Sequence, residues 1–282
     1  MVSTAPQTDL NEMHDLTISR RARRLTAEEK AQFSEWGYVK NLPVFDDTAL
    51  PVLQSKFREL AALLPDDVDI NRINMWHKAN RWYYEVCRTP AILDYVEDLI
   101  GPNFYQWGGQ FFVKYPGDGS IVPWHQDAQY WPLTPRKTVS VWLAIFDSDE
   151  DNGAMQVVRG SHTQGEFGHH EVDGPQFVLN QEVDAGCVDE SNVVTIDLKA
   201  GEISLHDDAL LHGSGANRST RVRCGMAMRF SPTDVKADMS VWPTFEISMA
   251  RGTDAYRHNP SAEPPTGNGC PVKRFQHSSE FR

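Results

Sequence analysis

The segment Pro123-Trp-His-Gln-Asp127 sets an imidazole and a carboxylate two residues apart. In an extended segment residues i and i+2 project from the same face, so His125 and Asp127 aim at one point. One more imidazole would complete a 2-His-1-carboxylate facial triad, which binds Fe(II) and leaves coordination positions open for small molecules. A His-x-Asp pair alone is weak, because any surface loop can contain one. The missing ligand is offered by His212 in Leu210-Leu-His-Gly-Ser-Gly-Ala-Asn217, where an apolar run delivers a histidine to a glycine turn. His206, six residues earlier, is a rival. It shares strand parity with His212 only if Asp207-Asp208 does not turn the chain. An isolated strand histidine ordinarily fills a core or supporting role, and the pairing with His125 and Asp127 lifts only His212 above that expectation.

Arg223 lies eleven residues beyond His212 on the run Arg221-Val-Arg-Cys-Gly-Met-Ala-Met-Arg-Phe230. A 2-oxoglutarate molecule chelating iron through its keto and C1 carboxylate oxygens leaves its distal carboxylate pointing inward. Burying that charge unpaired is costly, and a bidentate guanidinium is the best partner for it. Arg221 and Arg223 share strand parity, so spacing leaves the choice between them open. Further upstream, Asn71-Arg-Ile-Asn74 and Trp76-His-Lys-Ala-Asn-Arg-Trp-Tyr-Tyr84 interleave basic, amide and aromatic residues, and Gln129, Tyr130 and Trp131 follow Asp127. Lys78 and Arg81 are candidates to pair an anionic substrate group, Tyr130 to present a ring face to a cation, and Gln129 to line the same space. For most of these aromatics, packing of helices on strands is the plainer reading.

These residues need strands to carry them. From residue 103 the chain changes to short runs rich in β-branched and aromatic residues, bounded by Gly, Pro, Asn or Asp: Phe104–Tyr115, Thr138–Phe146, Ala154–Val158, Val193–Asp197, Glu202–Leu205 and Arg221–Phe230. That is the punctuation of an antiparallel β protein. Ahead of them, Thr26-Ala-Glu-Glu29 predicts a capped helix through about Trp36. A second helix is expected over about Thr48–Leu64, with Pro51 in its first turn. A third has Thr89 as N-cap, Pro90 at N1 and Gly101 as its stop. The expected organisation is a flexible basic leader over 1–24 and one domain over 25–282. Within it lie a mainly helical preface (25–102), a β core (103–232) with an insertion at 160–191, and an irregular segment (233–282).

At 282 residues, with a formal charge of −12, the chain has no Lys/Arg excess with which to track a phosphate backbone. Its start is polar, without the apolar stretch of a secretion signal, and no apolar run reaches the length of a membrane span. Cys87, Cys187, Cys224 and Cys270 are scattered and form no Cys-x-x-Cys pair, which predicts reduced thiols and a cytoplasmic location. A small-molecule partner is the expectation; nucleic acid and membrane are not.

Several stretches in order resemble the phytanoyl-CoA dioxygenase family of Fe(II)/2-oxoglutarate oxygenases: Val113-Lys-Tyr-Pro-Gly-Asp-Gly, Trp124-His-Gln-Asp-Ala-Gln-Tyr-Trp-Pro-Leu133, Val141-Trp-Leu-Ala, Asn152-Gly-Ala-Met, Gly160-Ser-His162 and His212-Gly-Ser-Gly-Ala-Asn-Arg-Ser219. One departure is Arg159 before Gly160, where the family often has proline. The resemblance implies a double-stranded β-helix (a cupin-like jelly roll) with packed N-terminal helices. It implies iron on His125, Asp127 and His212, with the 2-oxoglutarate carboxylate on Arg223, contacts from Trp142, Ser214 and Gln110, and O2 as the third reactant. Halogenating relatives lack the carboxylate ligand, so Asp127 favours hydroxylation of an aliphatic C–H. The specific expectation is a small zwitterion, such as an aminoalkylphosphonate or a betaine-like molecule. Desaturation, cyclisation or epimerisation by the same cofactors is the alternative, and a non-catalytic metal-binding jelly roll a distant one.

Overall fold

The computed structural model describes residues 16–271. Helix α1 (Ala27–Trp36) begins at the predicted capping box: Thr26 accepts from the Glu29 amide, and the Glu29 carboxylate accepts from the Thr26 amide. It ends on Gly37, whose φ of 81° is left-handed and suits glycine. Strand β1 (Tyr38–Pro43) follows, then α2 (Leu50–Ala61) with Pro51 in its first turn. The polar-aromatic stretch folds into two short helices, α3 (Trp76–Ala79) and α4 (Arg81–Val86). Helix α5 (Pro90–Ile100) starts at Pro90 as predicted, although the Thr89 side chain makes no capping hydrogen bond.

The remaining strands are β2 (Phe104–Lys114), β3 (Val122–His125), β4 (Leu133–Thr134), β5 (Val139–Ala144), β6 (Gln156–Val158), β7 (His169–Glu171), β8 (Gln181–Val183), β9 (Val193–Thr195), β10 (Glu202–Asp207), β11 (His212–Ser214), β12 (Arg223–Pro232), β13 (Lys236–Ala237) and β14 (Ser248–Arg251). Six of them form an antiparallel sheet in the order β1-β10-β5-β12-β2-β14, and four form a smaller one in the order β3-β11-β6-β9. The insertion is not structureless: β7 and β8 make a hairpin within it, and β8 lies against β3.

Alternation along the larger sheet sorts its side chains. Val141, Leu143, Ile203, Leu205, Met226 and Met228 face the helices and share a buried core with Leu53, Phe57, Tyr83, Ile92 and Tyr95. Their neighbours along the strands, among them Ser140, Trp142, His206, Arg223, Ala227 and Arg229, fall to the opposite face. The basic cluster expected in a flexible leader is instead pinned in its described part. Arg23 pairs with Glu29 at 2.7 Å and Arg24 with Asp98 at 2.8 Å, while Leu16 and Leu25 are buried. Residues 1–15 of that leader lie outside the described residues.

Candidate active site

His125 is the last residue of β3, and Asp127 opens a single 3-10 turn after it. Gln126 between them keeps extended dihedrals (φ −106°, ψ 128°), so the same-face relation survives into the turn. His212 opens β11 and sits directly across from His125 in the strand register. Among the described residues these three form the one group of three or more possible ligands, their ligand atoms lying within 4.8 Å of one another.

The rings are aimed. His125 Nδ1 lies 2.8 Å from the Pro123 carbonyl, and His212 Nδ1 lies 2.9 Å from the Leu210 carbonyl. A carbonyl can only accept, so each Nδ1 carries the proton and each Nε2 offers a lone pair. Burial, and then the neighbouring His125, hold His212 well below the ordinary histidine range, in the neutral form that ligates metals. Asp127 is also buried, which opposes ionisation. The rings of His125 and His206 and the charges around it nevertheless keep its carboxyl well below the usual range. Ser140 donates to Asp127 Oδ2 at 3.0 Å and fixes the carboxylate's orientation. Two imidazoles and one ionised carboxylate suit Fe(II).

The chain turns between His206 and His212: the Leu210 amide donates to the Asp207 carbonyl, and the two histidines belong to different sheets. His206 still lies near His212, with ring centroids 4.8 Å apart and the planes tilted by 52°, and its Nε2 is 3.6 Å from Asp127 Oδ2. It therefore backs the carboxylate, and neither of its buried ring nitrogens has a hydrogen-bond partner.

The two arginines left open by spacing part ways. Arg221 is on the surface in a bidentate pair with Asp149 at 2.7 and 2.9 Å. Arg223 is buried; it donates to the Gly153 carbonyl at 3.0 and 2.5 Å and to Ser214 Oγ at 3.2 Å, and its guanidinium carbon lies 5.4 Å from the Trp142 ring centroid. Burial pushes its pKa down to about 10. Lys114, opposite Arg223 in the register, is a second buried cation and was not singled out from the sequence. Its Nζ donates to the carbonyls of Ser120 at 3.0 Å, Ser214 at 3.2 Å and Gly215.

Gln110 shares the inward row with Trp142 and Ala227, but its amide nitrogen is spent on the Asn71 carbonyl at 2.5 Å. Tyr130 is half-buried, with its ring edge-on to His125 at 5.8 Å and its hydroxyl 3.4 Å from the Gln181 carbonyl. Gln129 beside it is exposed. The structure does not bring Arg81 and Lys78 to this cluster as charges awaiting a ligand. Arg81 is paired with Glu85 one helical turn on, and Lys78 is paired with Glu246 at 3.2 Å. Arg229, which the sequence reading passed over, is buried on the inward face of β12, directly opposite Ser140.

A helix-backed jelly roll with a His-x-Asp…His cluster inside defines the class of mononuclear non-heme iron oxygenases. The chain matches the family described as Phytanoyl-CoA dioxygenase (PhyH) over residues 25–225 and belongs to that family. Fe(II) and 2-oxoglutarate are its cofactors, and the donor set and guanidinium described above fit both. Peroxisomal phytanoyl-CoA dioxygenase of Mus musculus is 28% identical over 195 residues, covering 67% of this chain and 56% of that one. A probable alpha-ketoglutarate-dependent hypophosphite dioxygenase of Stutzerimonas stutzeri is 27% identical, covering 55% of this chain and 53% of that one. The chain thus spans about half the length of these relatives. Among solved structures, the non-heme monooxygenase ThoJ superposes with a TM-score of 0.70 at 26% identity, covering 85% of this chain and 89% of ThoJ. CytC3 with Fe(II) and alpha-ketoglutarate superposes at 0.66 and 25%, covering 88% and 96%. No described helix is long and apolar enough to cross a membrane.

Proposed function

We propose that this protein is an Fe(II)/2-oxoglutarate-dependent dioxygenase that hydroxylates an aliphatic C–H of a small polar substrate. The observation that carries the reading is the convergence of His125, Asp127 and His212 within 4.8 Å, with both Nδ1 protons engaged by backbone carbonyls. When bound, iron and 2-oxoglutarate supply oxidative chemistry in which O2 gives one oxygen atom to the substrate and one to succinate, with release of CO2. The chain's own residues position and shield. His125, Asp127 and His212 hold the metal, and Ser140 fixes the carboxylate.

Arg223 pairs the distal carboxylate of 2-oxoglutarate, with Ser214 and Lys114 beside it and Trp142 as a wall. Gln110 completes the row at its free oxygen. Tyr130 and the β7–β8 hairpin cover β3 and limit water at the metal face, and Gln129 lies at the rim. Because Arg81 and Lys78 are spent on carboxylates, selection of the substrate falls to residues nearer the metal. The class we favour is a small zwitterion, such as an aminoalkylphosphonate or a betaine-like molecule. Relatives named for hypophosphite and for L-proline support a small, charged substrate. The scattered thiols, of which Cys87, Cys187 and Cys224 are free, support a reducing, cytoplasmic setting.

The test is metal binding and turnover in His125→Ala, Asp127→Ala, His212→Ala and His206→Ala. The first three should lose Fe(II) binding and substrate-dependent succinate release, whereas His206→Ala keeps the metal. Iron lost from His206→Ala and kept by His212→Ala would overturn the ligand assignment. A product heavier by one oxygen separates hydroxylation from desaturation, which removes two hydrogens.

A further inference from the structure

Arg229 is only 7% exposed, and its Nε and Nη1 are fully enclosed without a hydrogen-bond partner. A buried arginine usually spends its donors, as Arg223 does through Nε and Nη2 on the Gly153 carbonyl and Ser214 Oγ. Arg229 lies instead against two indoles that touch edge to face, its guanidinium carbon 5.1 Å from the Trp131 ring centroid and 5.9 Å from that of Trp107. Cation–π contact offsets part of the cost of burying a guanidinium but satisfies none of its N–H groups.

The place of this residue is specific. In the register of the larger sheet Arg229 stands opposite Ser140, whose hydroxyl holds Asp127. Arg229 is therefore level with the metal ligands, whereas Arg223, six residues away on the same face, is level with Ser214. Six residues of strand span about 20 Å, so the two guanidiniums serve different ends of the interior. Gly108, the other cross-strand neighbour, makes the room: a Cβ there would come within 2.8 Å of the Arg229 side chain. Trp131 belongs to the segment just after Asp127, so whatever reaches Arg229 lies beside the metal.

We infer that Arg229 is the specificity-determining anchor for a compact oxyanion on the substrate, a carboxylate or a phosphonate, bound beside the Trp107–Trp131 pair. The inference rests on the metal-and-cosubstrate reading above and adds to it the charge of the substrate and the residue that reads it. Asp127 is near enough to feel the charge of Arg229 but makes no hydrogen bond to it, and a bound metal would draw on the same carboxylate. A substrate anion would supply an acceptor that Arg229 lacks, in a water-poor site where a charge-assisted hydrogen bond is strongest.

The test uses the full chain loaded with Ni(II), which prevents turnover. 2-Oxoglutarate is titrated first by calorimetry and left saturating, so that Arg223 is occupied. Methylphosphonate, acetate and neutral acetamide are then titrated, read by calorimetry and by fluorescence of the flanking tryptophans. At least one anion should bind saturably and acetamide should not; whichever anion binds tighter identifies the headgroup. Arg229→Gln should weaken that anion at least tenfold, with Arg229→Lys intermediate. Gly108→Ala, which crowds the arginine without removing its charge, should weaken it several-fold and carries the test should the glutamine variant not fold.

Equal anion affinity in Arg229→Gln, or in Gly108→Ala where that variant carries the test, would overturn the inference. So would a loss of 2-oxoglutarate affinity as large as the loss of anion affinity, which would assign Arg229 to the cosubstrate. Absence of anion binding while 2-oxoglutarate binds normally removes the Arg229 inference alone. Absence of 2-oxoglutarate binding removes the reading on which it rests as well.

Discussion

Two buried cations, Lys114 and Arg223, face each other across the β2–β12 register. Burial, and then the charge of Arg223, push the Lys114 pKa from 10.5 down to about 7, with Asp118 opposing weakly. The sign follows directly. As pH rises past about 7 the ligand-free protein gives up the third Lys114 proton more readily than an exposed lysine does, and with it one of the three carbonyl contacts, while a carboxylate arriving beside it favours the charged form. Binding of 2-oxoglutarate should therefore take up a proton between about pH 7 and 10.5, and affinity should fall as pH rises through that window. Calorimetry at pH 8 in two buffers of different ionisation enthalpy checks this, and uptake that persists in Lys114→Met would refute it. Sequence could not single out Lys114, because a lysine near a strand end looks like any surface lysine until its register partner is known. Arg81 was more legible than the reading allowed: Glu85 stands four residues on, the spacing of a helical ion pair.

Elements fare differently from residues. Capped or proline-started helices and β-branched strands were legible because each carries its own local chemistry. Strand β1 was not: it is six residues long, broken by a bulge, with Asn41 at a φ of 59°. The β7–β8 hairpin was hidden by polar residues with no apolar alternation. Strand β12 was read correctly as a strand, but its inward row of Arg223, Gly225, Ala227 and Arg229 needed the register to acquire meaning. Within that row Gly225 is the tightest position. A Cβ there would sit 1.8 Å from the Trp142 ring, so the indole occupies the space a side chain would need. Gly225→Ala should displace Trp142 from the Arg223 guanidinium, cost about 1–3 kcal/mol of stability by overpacking, and raise the 2-oxoglutarate requirement. Denaturant unfolding and cosubstrate titration measure the two effects, and a variant unchanged in both would mean that Trp142 is not held by this contact.

At the scale of the whole molecule the site is divided between two sheets. The smaller sheet supplies His125 and His212, with Asp127 on the turn that follows β3, and the larger one supplies Arg223, Lys114 and Arg229. The sequence made the three metal ligands and Arg223 visible but not Lys114 or Arg229, and the resemblance supplied the jelly roll; which sheet carries which set is a matter of strand order that no local pattern encodes. The division has a consequence for the order in which the barrel stiffens. A metal alone joins residues of the smaller sheet and its adjoining turn. A diacid reaching from that metal to Arg223 ties one sheet to the other, and segments held by a ligand open less often. Hydrogen exchange should therefore slow at β3 and β11 on adding Ni(II) alone, and slow at β12 only when 2-oxoglutarate is added as well. Arg223→Ala should keep the first effect and lose most of the second. Protection of β12 by metal alone, or protection by 2-oxoglutarate that survives Arg223→Ala in full, would show that the larger sheet is not where the cosubstrate is held.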